Sequence, residues 1–500
     1  MNIVEAIHDP KLFLPWFTEE ISEETKANNP RKRGGGGENT PGPSYLTWTT
    51  FLSALFALPL TPEQLEIYRQ CTGRTEPPKD VQKEAWLICG RRGGKSFHLA
   101  LIAVYLACFF NYKKHLAPGE RGTIMVIASD KKQARVIMGY IGGLLENTPM
   151  LDRLIDKRLA EAFHLSNRIS IEVQTASFRR VRGYTVVAAL CDEIAFWRSE
   201  DSTNPDFEIL DAIRPAMATI PNAMLLCASS PYARRGALWD AYTRMYGKDD
   251  APALVWKAST LTMNPTVPVR VIDEARERDP AHASAEYDAE FRTDIEAFIT
   301  REAVTACVEA GVYERKPERR NRYHAFVDPS GGSADSMTLA IGHKETDTAI
   351  LDLVRERKPP FSPEAVVEEF ADICRKYRVT KVHGDRYAGE WPREQFRKRG
   401  VNYECSGETK SQLYLATLPL INSGACDLLD SDRLITQLAS LERKVTRGGR
   451  DTIDHRPGAH DDLANAAAGA LVLAMTKSAR PANRKIDVHS TRDNFKPLQW

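Results

Sequence analysis

No stretch of this 500-residue chain is apolar for long enough to cross a bilayer. The longest such run, 97–110, falls short of the ~20 residues a span needs and carries His98 near its start. The first residues, Met-Asn-Ile-Val-Glu-Ala, hold an acid where a secretory signal would hold bases. The nine cysteines are scattered and odd in number, with no CxxC pair. That excludes a disulfide framework and a cysteine zinc site, and suits a reducing compartment. A net charge of +1 leaves no overall basic field, so any site for a polyanion must be local. No internal repeat is found. A soluble, intracellular protein without a membrane partner is expected.

With 42% hydrophobic and 27% charged residues the composition is globular, and the length calls for two domains with room for further pieces. The clearest punctuation is Arg31-Lys32-Arg33 followed by four glycines, Gly34 to Gly37, which cannot pack a core. Residues 1–44 are therefore read as an N-terminal extension and linker, with Leu12, Phe13, Trp16 and Phe17 in a helix that docks elsewhere. From 45 to 263 helical stretches alternate with apolar runs at 122–128, 186–191 and 223–228, the pattern of buried parallel strands in a doubly wound α/β domain. A charged, helix-rich linker is expected at 264–320. A second α/β domain at 321–476 opens with strands near 323–328, 337–342 and 349–354, and 477–500 reads as a polar tail.

Two sets of residues carry chemistry. The apolar run 85–89 leads into Gly90-Arg91-Arg92-Gly93-Gly94-Lys95-Ser96, after which the longest apolar stretch begins. Strand, glycine-rich turn and helix are what a phosphate cradle needs. Glycines let backbone N–H groups face phosphate oxygens, Lys95 reaches the terminal phosphates of ATP, and Ser96 ligates Mg²⁺ at the helix start. The motif is a variant of GxxxxGK[ST], because Cys89 stands where its first glycine belongs. A chance Gly-Gly-Lys-Ser on a surface loop is the competing reading. Downstream, one apolar run ends in Asp192-Glu193, one acid for the Mg²⁺ shell and one to polarise the attacking water. Another ends in Ser229-Ser230, hydroxyls placed to sense the γ-phosphate, although a plain strand-to-turn reading is equally natural.

Asp192-Glu193-Ile194-Ala195-Phe196-Trp197 after such a loop, followed by Ala228-Ser229-Ser230-Pro231, resembles the large terminase subunit of tailed bacteriophages. The resemblance implies a P-loop ATPase of the ASCE type followed by an RNase H-like nuclease. It implies that Arg91, four residues before Lys95, contacts the nucleotide, and that Arg182 is the arginine finger acting on a ring neighbour. It also implies an adenine-contacting segment, for which Tyr68 and Gln70 are the candidates. An RNase H-like site needs carboxylates converging from strand ends and one helix, to hold two Mg²⁺ or Mn²⁺ ions. Asp328, Asp385 and the pair Asp461-Asp462 occur in that order. Phe326-Val327-Asp328-Pro329-Ser330-Gly331-Gly332 and His460-Asp461-Asp462-Leu463-Ala464 are similar to the family's nuclease. One of Asp461 and Asp462 is expected to bind metal while the other caps the helix; Asp335 and His460 are auxiliary candidates.

The resemblance covers roughly 45–475. It implies ATP-driven movement of double-stranded DNA into a procapsid and metal-dependent cutting of concatemeric DNA when packaging starts and ends. It further implies a portal protein and a small terminase subunit as partners. The chain is then a monomer when isolated, a ring when on the portal, and is found in the host cytoplasm and transiently on the procapsid. Two other readings fit parts of the sequence. A repair ATPase fused to a Holliday-junction-type nuclease would show further helicase motifs, and none is found. A docking protein using nucleotide only as a switch would not need the second set of acids.

Overall fold

Apolar runs bounded by polar ends become a sheet buried on both faces. A computed structural model describes residues 1–17, 45–176, 183–197, 205–330, 335–385, 390–444, 451–456 and 459–476. The chain divides into one unit of Met1–Ala297 with Glu442–Thr452, and a second of Phe298–Leu441 with Ile453–Trp500. The stretch 264–320 expected as a linker is thus shared between the two. The Gly-rich segment and the tail 477–500 lie outside the described residues.

The first unit holds an eight-stranded sheet: β1 (Glu84–Cys89), β2 (Gly122–Ala128), β3 (Ile155–Arg158), β4 (Ala162–Leu165), β5 (Ile169–Thr175), β6 (Thr185–Asp192), β7 (Met224–Ser229) and β8 (Leu254–Ala258). Its order is β3-β4-β5-β2-β6-β7-β1-β8. From β5 to β8 neighbours are parallel, and β3 and β4 add an antiparallel edge. Alternate residues of each central strand serve opposite cores. Leu87, Val126, Leu190 and Leu226 pack on one face, and Ile88, Ile127, Ala189 and Leu225 on the other. A strand, β7, lies between β1 and β6, so the loop after β1 and the acids after β6 flank the end of β7. That order is the ASCE form of the P-loop ATPase fold.

The helices of this unit that bear on the site are α1 (Ile3–His8), α2 (Leu46–Leu55), α3 (Pro62–Thr72), α4 (Lys95–Phe109), α5 (Lys131–Glu146) and α6 (Pro280–Asp288). The apolar run expected near 97–110 is α4, buried along nearly its whole length because it sits against the sheet. The first seventeen residues depart from expectation. Rather than docking elsewhere, Ile3, Ile7, Phe13 and Phe17 join the core that contains Phe51 and Leu99. Phe13 and Phe17 lie 6.3 and 5.7 Å from Phe109 and Phe97. An Asn2–Glu5 capping box starts α1, so this segment is a structured part of the first unit.

The second unit is built on β9 (Tyr323–Asp328), β10 (Met337–Glu345), β11 (Thr348–Arg357), β12 (Lys381–Gly384), β13 (Asn402–Cys405) and β14 (Cys426–Asp427). The order is β13-β12-β9-β10-β11-β14. β9 to β11 form an antiparallel meander, and β9, β12 and β13 run parallel. This is an RNase H-like sheet. Its helices include α7 (Lys410–Asn422), α8 (Asp432–Ala439) and the alanine-rich α9 (Asp462–Thr476). Small residues let α9 approach closely: a Cβ at Gly469 would stand 2.3 Å from the Phe326 ring. Among the described residues no helix is long and apolar enough to cross a membrane.

Candidate functional site

The loop between β1 and α4 is shaped by its glycines and by what presses on them. A Cβ at Gly90 would meet Thr260 Oγ1 at 2.3 Å, and one at Gly93 would meet Cys89 Sγ at 2.4 Å. Cys89 therefore fits where the usual motif has glycine because Gly93 opposite it has no side chain. Arg92 and Gly94 take positive φ values of 64° and 96°, which turn the loop into the helix start. The chain around it fixes this shape. Thr260 Oγ1 donates to Arg91 O at 2.7 Å, Asn264 Nδ2 to Arg92 O at 2.9 Å, and buried Trp48 Nε1 to Gly93 O at 2.8 Å. Trp48 stacks on His98 at 3.6 Å, and His98 Nδ1 meets Gly94 O at 3.0 Å. Burial pushes His98 down to about 3, so this brace is uncharged.

Lys95 is buried, and its Nζ donates to Cys89 O at 3.0 Å and Ser230 Oγ at 2.9 Å while lying 3.3 Å from Glu193 Oε1. Burial would lower its pKa, but the charges of Glu193, Cys89 and Asp192 and the hydrogen bond to Glu193 together outweigh this and keep the ammonium. Glu193 has φ 52°, a left-handed conformation rare outside glycine and characteristic of sites under constraint. Its Oε2 accepts from Ser229 Oγ at 3.1 Å and from Ser230 N at 3.0 Å. The fold thus brings Lys95, Glu193, Ser229 and Ser230 into one network, with the lysine on the acid.

Asp192 ends β6 fully buried. Burial, with Glu193 beside it, lifts its carboxyl to about 6, against donors that pull it down. Oδ2 accepts from Ser96 Oγ at 3.1 Å and from Gln133 Nε2 at 2.8 Å, whereas Oδ1 has no partner although buried. A buried, unpartnered carboxylate oxygen beside a serine hydroxyl fits a hard cation such as Mg²⁺. Gln133 on α5 was not singled out by the sequence. Its only signal was its place just past the polar end of a buried strand, at Ser129-Asp130.

The remaining expectations for this unit divide. Arg91 is exposed and pairs with Glu286 of α6 at 3.2 Å, at the rim of the loop. Tyr68 is a correction: its side chain is fully buried near Trp256 and its hydroxyl donates to Glu76 O, leaving no face for an adenine. Gln70 is exposed on α3 and donates to Glu66. Arg182 lies outside the described residues.

In the second unit, β9 and β12 pair in parallel with Val327 opposite Gly384. The next residue on each strand is an acid, so Asp328 and Asp385 emerge side by side from strands about 5 Å apart. Gly384 is required here, since a Cβ would meet Tyr403 Oη at 2.1 Å and Val327 O at 2.7 Å. Burial pushes Asp328 up to about 7, helped by Asp462, Asp461 and Asp385 and opposed by Asn465, whose Nδ2 donates to Asp328 Oδ2 at 2.8 Å. Asp462 rises to about 6 through burial and through Asp461 and Asp335, against His460. Carboxyls raised by burial and by neighbouring acids make this a candidate cation site.

The two neighbouring acids have different surroundings. Asp462 Oδ2 accepts from Ser336 N at 3.3 Å, and its carbonyl accepts from Thr338, which pairs with Asp328 across β10. Asp461, buried, accepts from Tyr414 Oη at 2.7 Å and pairs with Lys410 Nζ at 2.9 Å; the same ammonium reaches Asp454 at 2.8 Å. The expected division, one ligand and one cap, needs correction on the cap. The first N–H groups of α9, at Leu463 and Ala464, donate to Gln437 Oε1 from α8 at 2.8 and 3.0 Å. Asp335 is exposed, 3.5 Å from His460 Nδ1.

No protein-family model matches the chain, and no curated protein matches it. Among solved structures it is similar to the large terminase of bacteriophage HK97, with 15% identity, 87% of this chain and 96% of that one covered, and a TM-score of 0.38. The large terminase nuclease of the thermophilic phage G20c matches at 16% identity over 34% of this chain and 94% of that one, TM-score 0.30. The large terminase of another thermophilic bacteriophage matches at 11% identity over 83% of this chain and 98% of that one, TM-score 0.36. All three are large terminase structures. The last of them has also been solved with ADP and with ATP-γ-S, and the G20c nuclease with magnesium and with cobalt. At these scores the likeness decides no function, which must be argued from the two sites themselves.

Proposed function

We propose that the chain is a large terminase subunit, an ATP-driven motor for double-stranded DNA joined to a metal-dependent endonuclease. The observation that carries this reading is the pairing, in one chain and in this order, of a P-loop site on an ASCE sheet with a carboxylate centre on an RNase H-like sheet. A simple nucleotide switch has no use for Asp328, Asp385 and Asp462 gathered at adjoining strand and helix ends.

In the ATPase unit, the loop from Gly90 to Ser96 would receive the phosphates on backbone N–H groups at the start of α4. Magnesium held by Ser96 and Asp192 would neutralise phosphate charge. Lys95 at rest is bound to Glu193 and Ser230. A γ-phosphate competing for the ammonium would free Glu193 to accept a proton from attacking water, while Ser229 and Ser230, which hold Glu193, would carry its movement along β7. Arg91 at the rim is placed for nucleotide, and Arg182 is retained as the proposed trans finger.

In the nuclease unit, Asp328, Asp385 and Asp462 would hold two Mg²⁺ or Mn²⁺ ions, which supply water activation and charge neutralisation at the leaving oxygen. We assign Asp461 instead to anchoring Lys410. A motor of this type grips the phosphate backbone without reading bases, in keeping with a chain of net charge +1 and no evident base-reading module. It would act as a ring on the portal, with a small terminase subunit choosing the site, in the host cytoplasm.

Supercoiled-plasmid cleavage with Mg²⁺ or Mn²⁺, beside Asp385→Ala, tests the nuclease half. Cleavage by the wild type that the variant loses is expected. Cleavage that survives in Asp385→Ala would put the reaction elsewhere.

A further inference from the structure

Gln133 touches both residues that would hold the cation of the nucleotide site, and the motifs of that site do not include it. Asp130 caps α5, its Oδ1 accepting from Lys132 N at 2.7 Å and Gln133 N at 2.9 Å, which fixes the backbone from which the Gln133 side chain leaves. The amide Nε2 then donates to Ser96 Oγ and to Asp192 Oδ2, each at 2.8 Å.

The donor count determines what this does. A serine hydroxyl has one hydrogen and two lone pairs. Ser96 Oγ gives its hydrogen to Asp192 Oδ2 at 3.1 Å and takes one from Gln133, which leaves a single lone pair. Asp192 Oδ2 is occupied by both donors, so the unpartnered oxygen is Oδ1. A neutral amide is suited to this post. A lysine would compete with a cation, and a carboxylate would draw off the serine hydrogen that should go to Asp192. We propose that Gln133 is a positioning residue of the nucleotide site, orienting Ser96 and Asp192 so that Ser96 presents its one free lone pair and Asp192 its unpartnered Oδ1 to the cation accompanying the nucleotide. The inference rests on the ATPase reading and adds that α5, through Gln133, touches the cation's ligands.

Equilibrium binding of a fluorescent ATP analogue to the full chain, in Mg²⁺ and in EDTA, separates positioning from simple packing. Gln133→Leu keeps the bulk and removes the donor; Lys131→Ala, exposed on the same turn, is the control. Affinity in EDTA should stay within about twofold for Gln133→Leu, while the gain from Mg²⁺ falls at least ~tenfold, the usual effect of losing a partner of a metal ligand. The melting temperature without nucleotide should fall modestly, because the buried Asp192 loses a donor, and Lys131→Ala should match the wild type. An undiminished Mg²⁺ gain in Gln133→Leu would overturn the proposal, as would equal losses in Mg²⁺ and EDTA. A wild-type chain that binds no nucleotide in either condition would instead sink the ATPase reading on which the proposal stands.

Discussion

Asp328→Asn should make the metal-free protein more stable while removing the proposed nuclease activity. The carboxyl of Asp328 is pushed up to about 7 by burial and by Asp462, Asp461 and Asp385, against ~3.9 in an unfolded chain. The folded state therefore holds this proton more tightly than the unfolded state does. Below about pH 4 both states are protonated and nothing is lost. Between about pH 4 and 7 the unfolded chain ionises first, so stability falls as pH rises, and above about 7 the full penalty is present. A carboxyl raised that far costs at most ~4 kcal/mol, at ~1.36 kcal/mol for each tenfold change in proton affinity. Asp328 is mostly buried but keeps part of its surface in solvent, which reduces this, and a gain of about 1–3 kcal/mol from the neutral isostere is the working figure. For a unit of this size that is ~2–4 °C in melting temperature per kcal/mol.

The assay is thermal unfolding of the wild type and Asp328→Asn in EDTA at pH 8 and pH 5, followed through the transition of the nuclease unit. At pH 8 the variant should melt higher. At pH 5 the wild-type carboxyl is largely protonated in the folded state, so most of the gap should close. Adding Mg²⁺ or Mn²⁺ at pH 8 should raise the wild type more than the variant, which keeps Asp385 and Asp462 but lacks one of the three carboxylates. A variant that is less stable at pH 8, or a gap of the same size at both pH values, would refute the argument that this centre is held together against its own charge.

Glu193→Gln should retain ATP binding while hydrolysis falls at least ~100-fold, because the amide cannot accept the water's proton; steady-state turnover beside nucleotide binding checks both halves. Lys410→Met should destabilise the nuclease unit by ~3 kcal/mol, because it takes the ammonium from the buried Asp461 and leaves that carboxylate on the neutral Tyr414 hydroxyl, whereas adding Asp461→Asn should recover most of the loss. Denaturant unfolding of the single and double variants would show it, and a Lys410→Met chain as stable as the wild type would remove the anchoring role given to Asp461.

The central strands were legible because parallel strands covered on both faces have no reason to alternate, so β2, β6 and β7 stand out as apolar runs with polar ends. The edge was not: β3, Ile155–Arg158, is largely exposed and spells Ile-Asp-Lys-Arg. The first seventeen residues were set apart because a glycine run follows them, yet the apolar residues at 3, 7, 13 and 17 pack into the core like any other. A glycine run marks where the chain leaves a core and carries no information about which core it leaves. Tyr68 shows a related ambiguity, since a tyrosine on a helix near a nucleotide loop has the same letters whether its ring faces ligand or Trp256.

The site residues were legible where the chemistry is local and illegible where it depends on which strands are neighbours. Lys95 and Ser96 sit in a contiguous loop, and Asp328, Asp385 and Asp462 each follow a recognisable strand or open a helix. Gln133 belongs to the same site only because β2 lies beside β6 in the sheet, which places the start of α5 against Asp192. The Asp461-Asp462 pair was ambiguous for the same reason. Adjacent acids at a helix start ordinarily include its cap, and local spacing would assign one of them that duty. Here the N–H groups of Leu463 and Ala464 are taken by Gln437, 26 and 27 residues upstream, with its side chain buried under the helix end. A cap supplied from another helix leaves both carboxylates available for other work, one turned toward Asp328 and the other locked to Lys410. Two acids that look interchangeable in sequence are thereby given separate tasks by a glutamine that no local pattern connects to them.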